Sequence, residues 1–225
     1  QNFRCVRVTD GTDTAATATV VAGGSIQLAA RYTGSWFAGN VNVVFAPGAR
    51  AATVKVAVTV AGFGTVEVFD NIEAGPMANV QNAINNGIGL QGASQWLVAS
   101  GATGEANFAA WPTIGPAGSA WSNGGDGVGG VTSSTLIGVD SAPRTGMYAL
   151  RGQGCSLMVL SDMTDAAKWT TIAGFADGEG VYAILETAAG DTPGNAAGEL
   201  AAAGLDDYGV KICFGDWIDW YDAVN

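Results

Sequence analysis

The sequence predicts an α+β chain: a parallel-type α/β domain into which a β-rich sandwich or small barrel domain is inserted. Three observations carry this. Two short apolar runs, Cys155–Leu160 and Val181–Leu185, flank a stretch of helical period in which Trp169, Ile172, Ala173 and Ala176 recur. Strand–helix–strand order within one sheet means parallel pairing through a crossover helix. Residues 15–70, by contrast, are short runs broken by Gly-Gly, Gly-Asn, Pro-Gly and Gly-Phe-Gly, the spacing of a sandwich or barrel. Between the two patterns, residues 101–130 are aperiodic and rich in Gly, Ala, Pro and Ser, which predicts loop and places a division near residue 131.

In chain order, the opening segment Arg4–Val8 is apolar and set apart from the sandwich strands. Residues 1–11 are therefore expected as a strand joining the α/β domain, with 12–130 the β-rich insertion and 131–225 the remainder of the α/β domain. Strands are expected at 15–21, 25–31, 41–46, 53–60 and 64–70, each bounded by turn residues. Met77, Val80 and Ile84 share one helical face, so Pro76 to Asn86 is a helix packed on those strands, and 95–100 is a further strand. Beyond residue 131, strands are expected at 135–139, 155–160, 181–185 and 209–214, with helices at 143–151, 164–178 and 193–203. The last helix has clear punctuation: Thr192 as N-cap, Pro193 at the first position and Gly204 just past the end. Two compact units follow, with 101–130 the loosest segment.

Composition narrows the function. The 225 residues carry 9 Lys and Arg against 20 Asp and Glu, a formal charge of −11, and no histidine. A nucleic acid or an anionic membrane surface calls for a basic patch, so neither is expected as a partner. No run approaches the roughly 18 apolar residues of a membrane span. The charge is uneven: net +3 over residues 1–55, −4 over 56–161 and −10 over 162–225. Cys5, Cys155 and Cys213 lie in predicted strands, where a thiol behaves as a small buried hydrophobe, and no Cys/His spacing for zinc exists.

Each candidate catalytic motif also has a plainer structural role. Strand ends would bring Asp10, Asp140, Asp162, Glu186 and Asp216 near the carboxyl edge of a sheet, where ligands and divalent metals bind in open α/β folds. A metal-dependent α/β hydrolase is the reading that follows. Against it, only Lys168 and Lys211 lie beyond residue 151 to neutralise a phosphoryl group, and position 166 is Ala where a D-x-S-x-S metal site needs Ser. Asp also starts helices in strand-to-helix loops, so capping and turn roles are favoured and no metal site is expected. Gly125 to Gly130 satisfies G-x-G-x-x-G but follows a loop and precedes Val-Thr-Ser-Ser, the wrong flanks for a dinucleotide site. Without histidine no Ser-His-Asp or Cys-His arrangement is possible. The expectation is no catalytic residue and no cofactor.

A longer pattern carries a resemblance. Ile137-Gly138-Val139-Asp140 leads into Pro143 to Leu150 (PRTGMYAL), then Ser161-Asp162, Thr164-Asp165 with Trp169, Glu179 to Leu185 and Ala189 to Thr192. Further stretches are Phe3 to Gly11, Ala29 to Asn40, Val66 to Ile72, Gly124 to Gly127 and Phe214 to Trp217. Together these resemble the contractile tail sheath proteins of bacteriophages, with I-G-x-D, P-R-T-G-(L/M)-Y-A-L, T-D-x-x-x-W and E-G-x-Y-x-I-L in the same order. Sheath proteins of this family begin before the V-R-V strand and continue past the D-W segment. The expectation is thus the central part of a sheath protein without its terminal arms.

The resemblance implies a structural subunit forming stacked rings around a tail tube and contracting to drive the tube through the host envelope during genome delivery. Its partners would be other copies of itself, the tail tube protein and the baseplate, in a virion tail assembled in the bacterial host cytoplasm. The sheath of a bacteriocin-like or secretion-type contractile machine is the near alternative. The uneven charge fits head-to-tail contact, which makes Arg31 and Arg50 subunit-contact candidates. Asp216, Asp219 and Asp222, interleaved with Trp217 and Trp220, give an acidic and an aromatic face and join them. Lacking arms and carrying −11 per copy, the chain alone is expected to be a monomer in dilute solution.

Overall fold

Computed as a structural model, the protein is described over residues 3–106, 111–205 and 210–213. It divides into two units, Gly11–Gly127 and Gln1–Asp10 with Val128–Asn225. Helices and strands are mixed, and antiparallel sheets accompany a parallel one, so the chain is α+β.

In the first unit, β1 (Thr14–Ala30) is followed by a short helix α1 (Trp36–Asn40), then β2 (Val41–Pro47), β3 (Thr53–Val60) and β4 (Gly64–Glu73). Helix α2 (Met77–Asn86) leads to β5 (Leu97–Ala106), β6 (Thr113–Ile114) and β7 (Ser122–Gly125). Two antiparallel sheets result, ordered β5-β1-β7 and β4-β3-β2-β6. Their alternating apolar residues share one core. Ile26 and Leu28 come from β1, Val43 and Phe45 from β2, Phe69 from β4, and α2 adds Met77, Val80 and Ile84. Each such side chain contributes about 1.5–3 kcal/mol by leaving water.

Two expectations change here. Strands 15–21 and 25–31 are one strand, because Gly23-Gly24 marks a bulge against β5 and not a turn. A Cβ on Gly24 would sit 2.0 Å from the Thr103 carbonyl oxygen, so only glycine allows the approach. Residues 101–130 are not a continuous loop: they hold the second half of β5 with β6 and β7. Small residues conceal these strands, since Gly and Ala give no period-2 signal. Trp121 anchors the stretch, buried and donating from Nε1 to the Val41 carbonyl at 2.9 Å.

In the second unit, α3 (Ser133–Ile137), β8 (Leu157–Val159), α4 (Trp169–Glu179), β9 (Tyr182–Glu186), α5 (Pro193–Ala203) and β10 (Val210–Cys213) follow in order. The sheet is β10-β9-β8, parallel throughout, with Leu157 opposite Tyr182 and Val210 opposite Ala183. Trp169, Ile172, Phe175 and Ala176 of α4 join Met158, Ala183 and Leu185 of the sheet in one core. Thr192 caps α5, Pro193 opens it, and Gly204 closes it in the left-handed conformation.

Three expectations are corrected in this unit. The strand at 135–139 is helix α3, because Thr132 and Thr135 form a reciprocal capping box that satisfies the first turn. The helix at 143–151 shrinks to one 3₁₀ turn, Gly146–Leu150. Gly146 is left-handed (φ 55°) and lies against Gly138, and a Cβ on Gly138 would meet the Thr145 oxygen at 2.1 Å. This backbone crossing fixes the chain before a helix can start. Residues 3–10 carry no regular secondary structure, so the strand expected within 1–11 is not formed. A short ladder is one reason: β8 offers three residues to a neighbour.

Candidate functional site

Parallel sheets normally have both faces covered. Here Met158, Ala183 and Leu185 are buried beside α4, whereas Leu157 and Val159 on the alternate positions are exposed. β8 pairs with β9 on one side and with no strand among the described residues on the other. Along this edge runs a cleft of about 1550 Å³, whose walls include Phe3 to Val6 and Val8, Leu136, Met147 and the run Gly154–Asp162. An unpaired edge with apolar side chains beside it is a template for another strand.

An ion-pair network is centred on Arg151. Arg151 makes a bidentate pair with Asp140, Nε to Oδ1 at 3.0 Å and Nη2 to Oδ2 at 2.8 Å, and donates from Nη1 to Glu179 Oε1 at 2.8 Å. Arg144 adds a 2.9 Å bond to Asp140, and the Gly152 N–H donates to Glu179 Oε2 at 2.7 Å. The Arg151 guanidinium also lies over the rings of Phe175 (5.3 Å) and Tyr148 (5.7 Å). Hydrogen bonding to Asp140 pushes Arg151 up from its ordinary value. Partial desolvation raises the Asp140 carboxyl, but the bonds and charges of Arg144 and Arg151 prevail and hold it below its ordinary 3.8. With a depressed folded pKa, this pairing stabilises above a pH of about 4 and is lost as pH falls through the folded value. Arg151→Ala is expected to return Asp140 toward 3.8, as read by carboxyl NMR titration. An unmoved titration would show that Arg144 alone holds it.

In the β-rich unit a second polar network is buried. Glu67, 5% exposed, accepts from Ser94 Oγ at 2.5 Å and from the Gln95 N–H at 2.6 Å. Ser94 Oγ in turn accepts from the N–H groups of Trp96 and Leu97. Arg31 is exposed, yet its guanidinium donates to the carbonyls of Ser94 (3.0 Å) and Leu97 (3.4 Å). Arg50 sits exposed in the turn between β2 and β3, its N–H donating to Asn71 Oδ1. Asp216, Trp217, Asp219, Trp220 and Asp222 lie outside the described residues. Glu67 and Ser94 were not legible beforehand; the only signal was a Glu at an inward position of the Val66–Phe69 alternation.

The strand-end carboxylates have separate local partners. Asp10 accepts from the Gly130 N–H at 2.7 Å, Asp140 joins the arginines, and Glu186 accepts from the Asp162 N–H at 3.1 Å. Among the described residues no three His, Cys, Asp or Glu side chains are grouped to hold a metal. The glycine run at 125–130 ends β7 and reaches the Asp10 contact. Asp126 within it accepts from the Ser35 N–H at 3.0 Å and from the Ser35 hydroxyl. No helix among the described residues is long and apolar enough to cross a membrane.

Two of the three thiols depart from expectation, and the side chain of Cys213 lies outside the described residues. Cys5 is exposed and Cys155 half-buried, because residues 3–10 are not in the sheet and β8 starts two residues after Cys155. Native Cys5 is therefore expected to react quickly with a thiol reagent and Cys155 more slowly, checked by mass-resolved labelling. Slow labelling at Cys5 would show that the opening segment is covered.

No family model matches the chain, and no curated protein does. Solved structures that share its fold include two sheath tail proteins. The sheath tail protein of Desulfitobacterium hafniense aligns over 89% of this chain and 38% of its own length, at 20% identity and TM-score 0.51. The sheath tail protein of Listeria innocua aligns over 77% of this chain and 34% of its own length, at 14% identity and TM-score 0.51. The chain thus spans little more than a third of either neighbour, and its fold is tail-sheath-like.

Proposed function

We propose that this chain is a structural, non-enzymatic subunit of a contractile phage tail sheath. Copies stack in rings around a tail tube, and contraction drives the tube through the host envelope to deliver the genome. The observation that carries this reading is the tail-sheath-like fold, found over 89% of the chain. The apolar-flanked edge of β8, unpaired among the described residues, supports it, since a strand edge is one place where a repeating assembly can knit neighbours. In this reading the α/β unit is the body and residues 12–130 are an inserted domain. The sheath is bistable: subunits stay nearly rigid while their contacts repack. Arg31 and Arg50 on one side, and Asp216, Trp217, Asp219, Trp220 and Asp222 on the other, are the proposed contacts. The tube protein and baseplate are the other partners, and assembly takes place in the host cytoplasm.

Electron microscopy of the full-length gene product co-expressed with its tube protein tests the proposal. Striated tubes with a hollow or tube-filled bore are expected. Dispersed particles at every concentration, salt and protein ratio would overturn it.

A further inference from the structure

Two of the three cysteines belong to one cleft. Cys5 and Cys155 lie far apart in sequence, yet both line the cleft beside β8, within the same unit of the chain. Both are free thiols, Cys5 exposed and Cys155 half-buried. A disulfide needs Cα atoms about 4.4–6.8 Å apart and Cβ atoms turned toward each other. Neither cysteine lies in a helix or strand, so each backbone can shift to meet that limit. Cys155 follows Gly154, which is left-handed (φ 66°), and precedes Ser156, whose carbonyl accepts from the Tyr182 N–H at 3.0 Å. A bond at Cys155 would therefore tie the opening segment directly to the parallel sheet.

We propose that Cys5 and Cys155 form an intrachain disulfide when the chain meets a low-molecular-weight disulfide, making a redox-set latch at the cleft. The exposed Cys5 thiolate attacks one sulfur of oxidised glutathione, forming a mixed disulfide and releasing one glutathione. The Cys155 thiolate then attacks the Cys5 sulfur, forming the protein S–S bond and releasing the second glutathione. Two cysteine thiols are oxidised, one glutathione disulfide is reduced, and the two thiol protons end on the departing glutathiones. The latch fastens the segment around Cys5 to the chain entering β8. A reducing cytoplasm keeps such a pair open and an oxidising medium closes it, so a sheath subunit would assemble unlatched and lock after release. That role rests on the assembly reading; the bond itself does not.

Thiol trapping and peptide mass mapping of the isolated full chain, in a glutathione redox buffer, test the bond. A failure there leaves the assembly reading standing, and a failure of assembly leaves the bond standing. The expected product is a single chain in which the Cys5 and Cys155 peptides are linked. At about 1 mM glutathione the linked form should exceed the glutathione adducts about tenfold, because a neighbouring thiol outcompetes a free one. In denaturant the preference should move to Cys155–Cys213, which closes the shortest loop of the three pairs. That shift separates folded geometry from chance encounter. Cys5 and Cys155 remaining as thiols or as separate adducts in the native chain overturns the latch. So does native pairing of either with Cys213, a bond between two chains, or the same Cys5–Cys155 preference in denaturant.

Discussion

Trp169→Ala is expected to cost the α/β unit about 3–5 kcal/mol, the loss for truncating a fully buried large aromatic. The indole is 0% exposed and shares a core with Met158, Met163, Ile172, Ala183 and Leu185, between α4 and the parallel sheet. A domain's whole stability is about 5–15 kcal/mol, so this variant sits near the threshold of folding. Trp169→Phe separates packing from polarity. The indole Nε1 is buried without a hydrogen-bond partner among the described residues. Phenylalanine keeps most of the ring and removes that donor, so a loss below about 2 kcal/mol is expected. Amide exchange in α4 and β9 measures both. Equal losses for Ala and Phe would mean that the Nε1 group is satisfied and matters more than the ring.

Ser94→Ala carries the second large effect, in the β-rich unit. Ser94 is 0% exposed, and its hydroxyl donates to Glu67 and accepts from two backbone N–H groups. Removing it leaves a buried carboxylate oxygen and those N–H groups short of partners. At about 1–3 kcal/mol per orphaned group with partial relaxation, a net loss of about 3 kcal/mol is expected. Exchange of the β4 and β5 amides should accelerate while α4 is unchanged. A loss under about 0.5 kcal/mol would show that water replaces the hydroxyl and that the network is not closed.

Most of the fold was legible because its elements follow strong local rules. α5 was placed from three residues, Thr192, Pro193 and Gly204, each of which acts on the backbone directly. The period-2 runs gave β2 and β3, and the 3.6 period gave α2 and α4. Errors arose where a glycine served tertiary contact instead of a turn, as at Gly24 against β5, and at Gly138 against Gly146. They also arose where side-chain hydroxyls overrode an apolar pair, as Thr132 and Thr135 did for Leu136-Ile137. The polar networks were harder to foresee. Asp140, Arg144, Arg151 and Glu179 are spread over 40 residues, and Glu67 meets Ser94 only when β4 and the chain before β5 fold together. Spacing alone cannot bring such groups together. The edge of β8, unpaired among the described residues, likewise depends on which strands pair, and a list of strands does not contain that.

Immunogold electron microscopy of intact tails, with antibody raised against this chain, tests the sheath assignment most directly. The sheath reading predicts label along the whole length of extended tails, and denser label on the shortened outer layer once they contract. Label confined to the head, the baseplate or the exposed tube, or absence of the chain from purified particles, would contradict it.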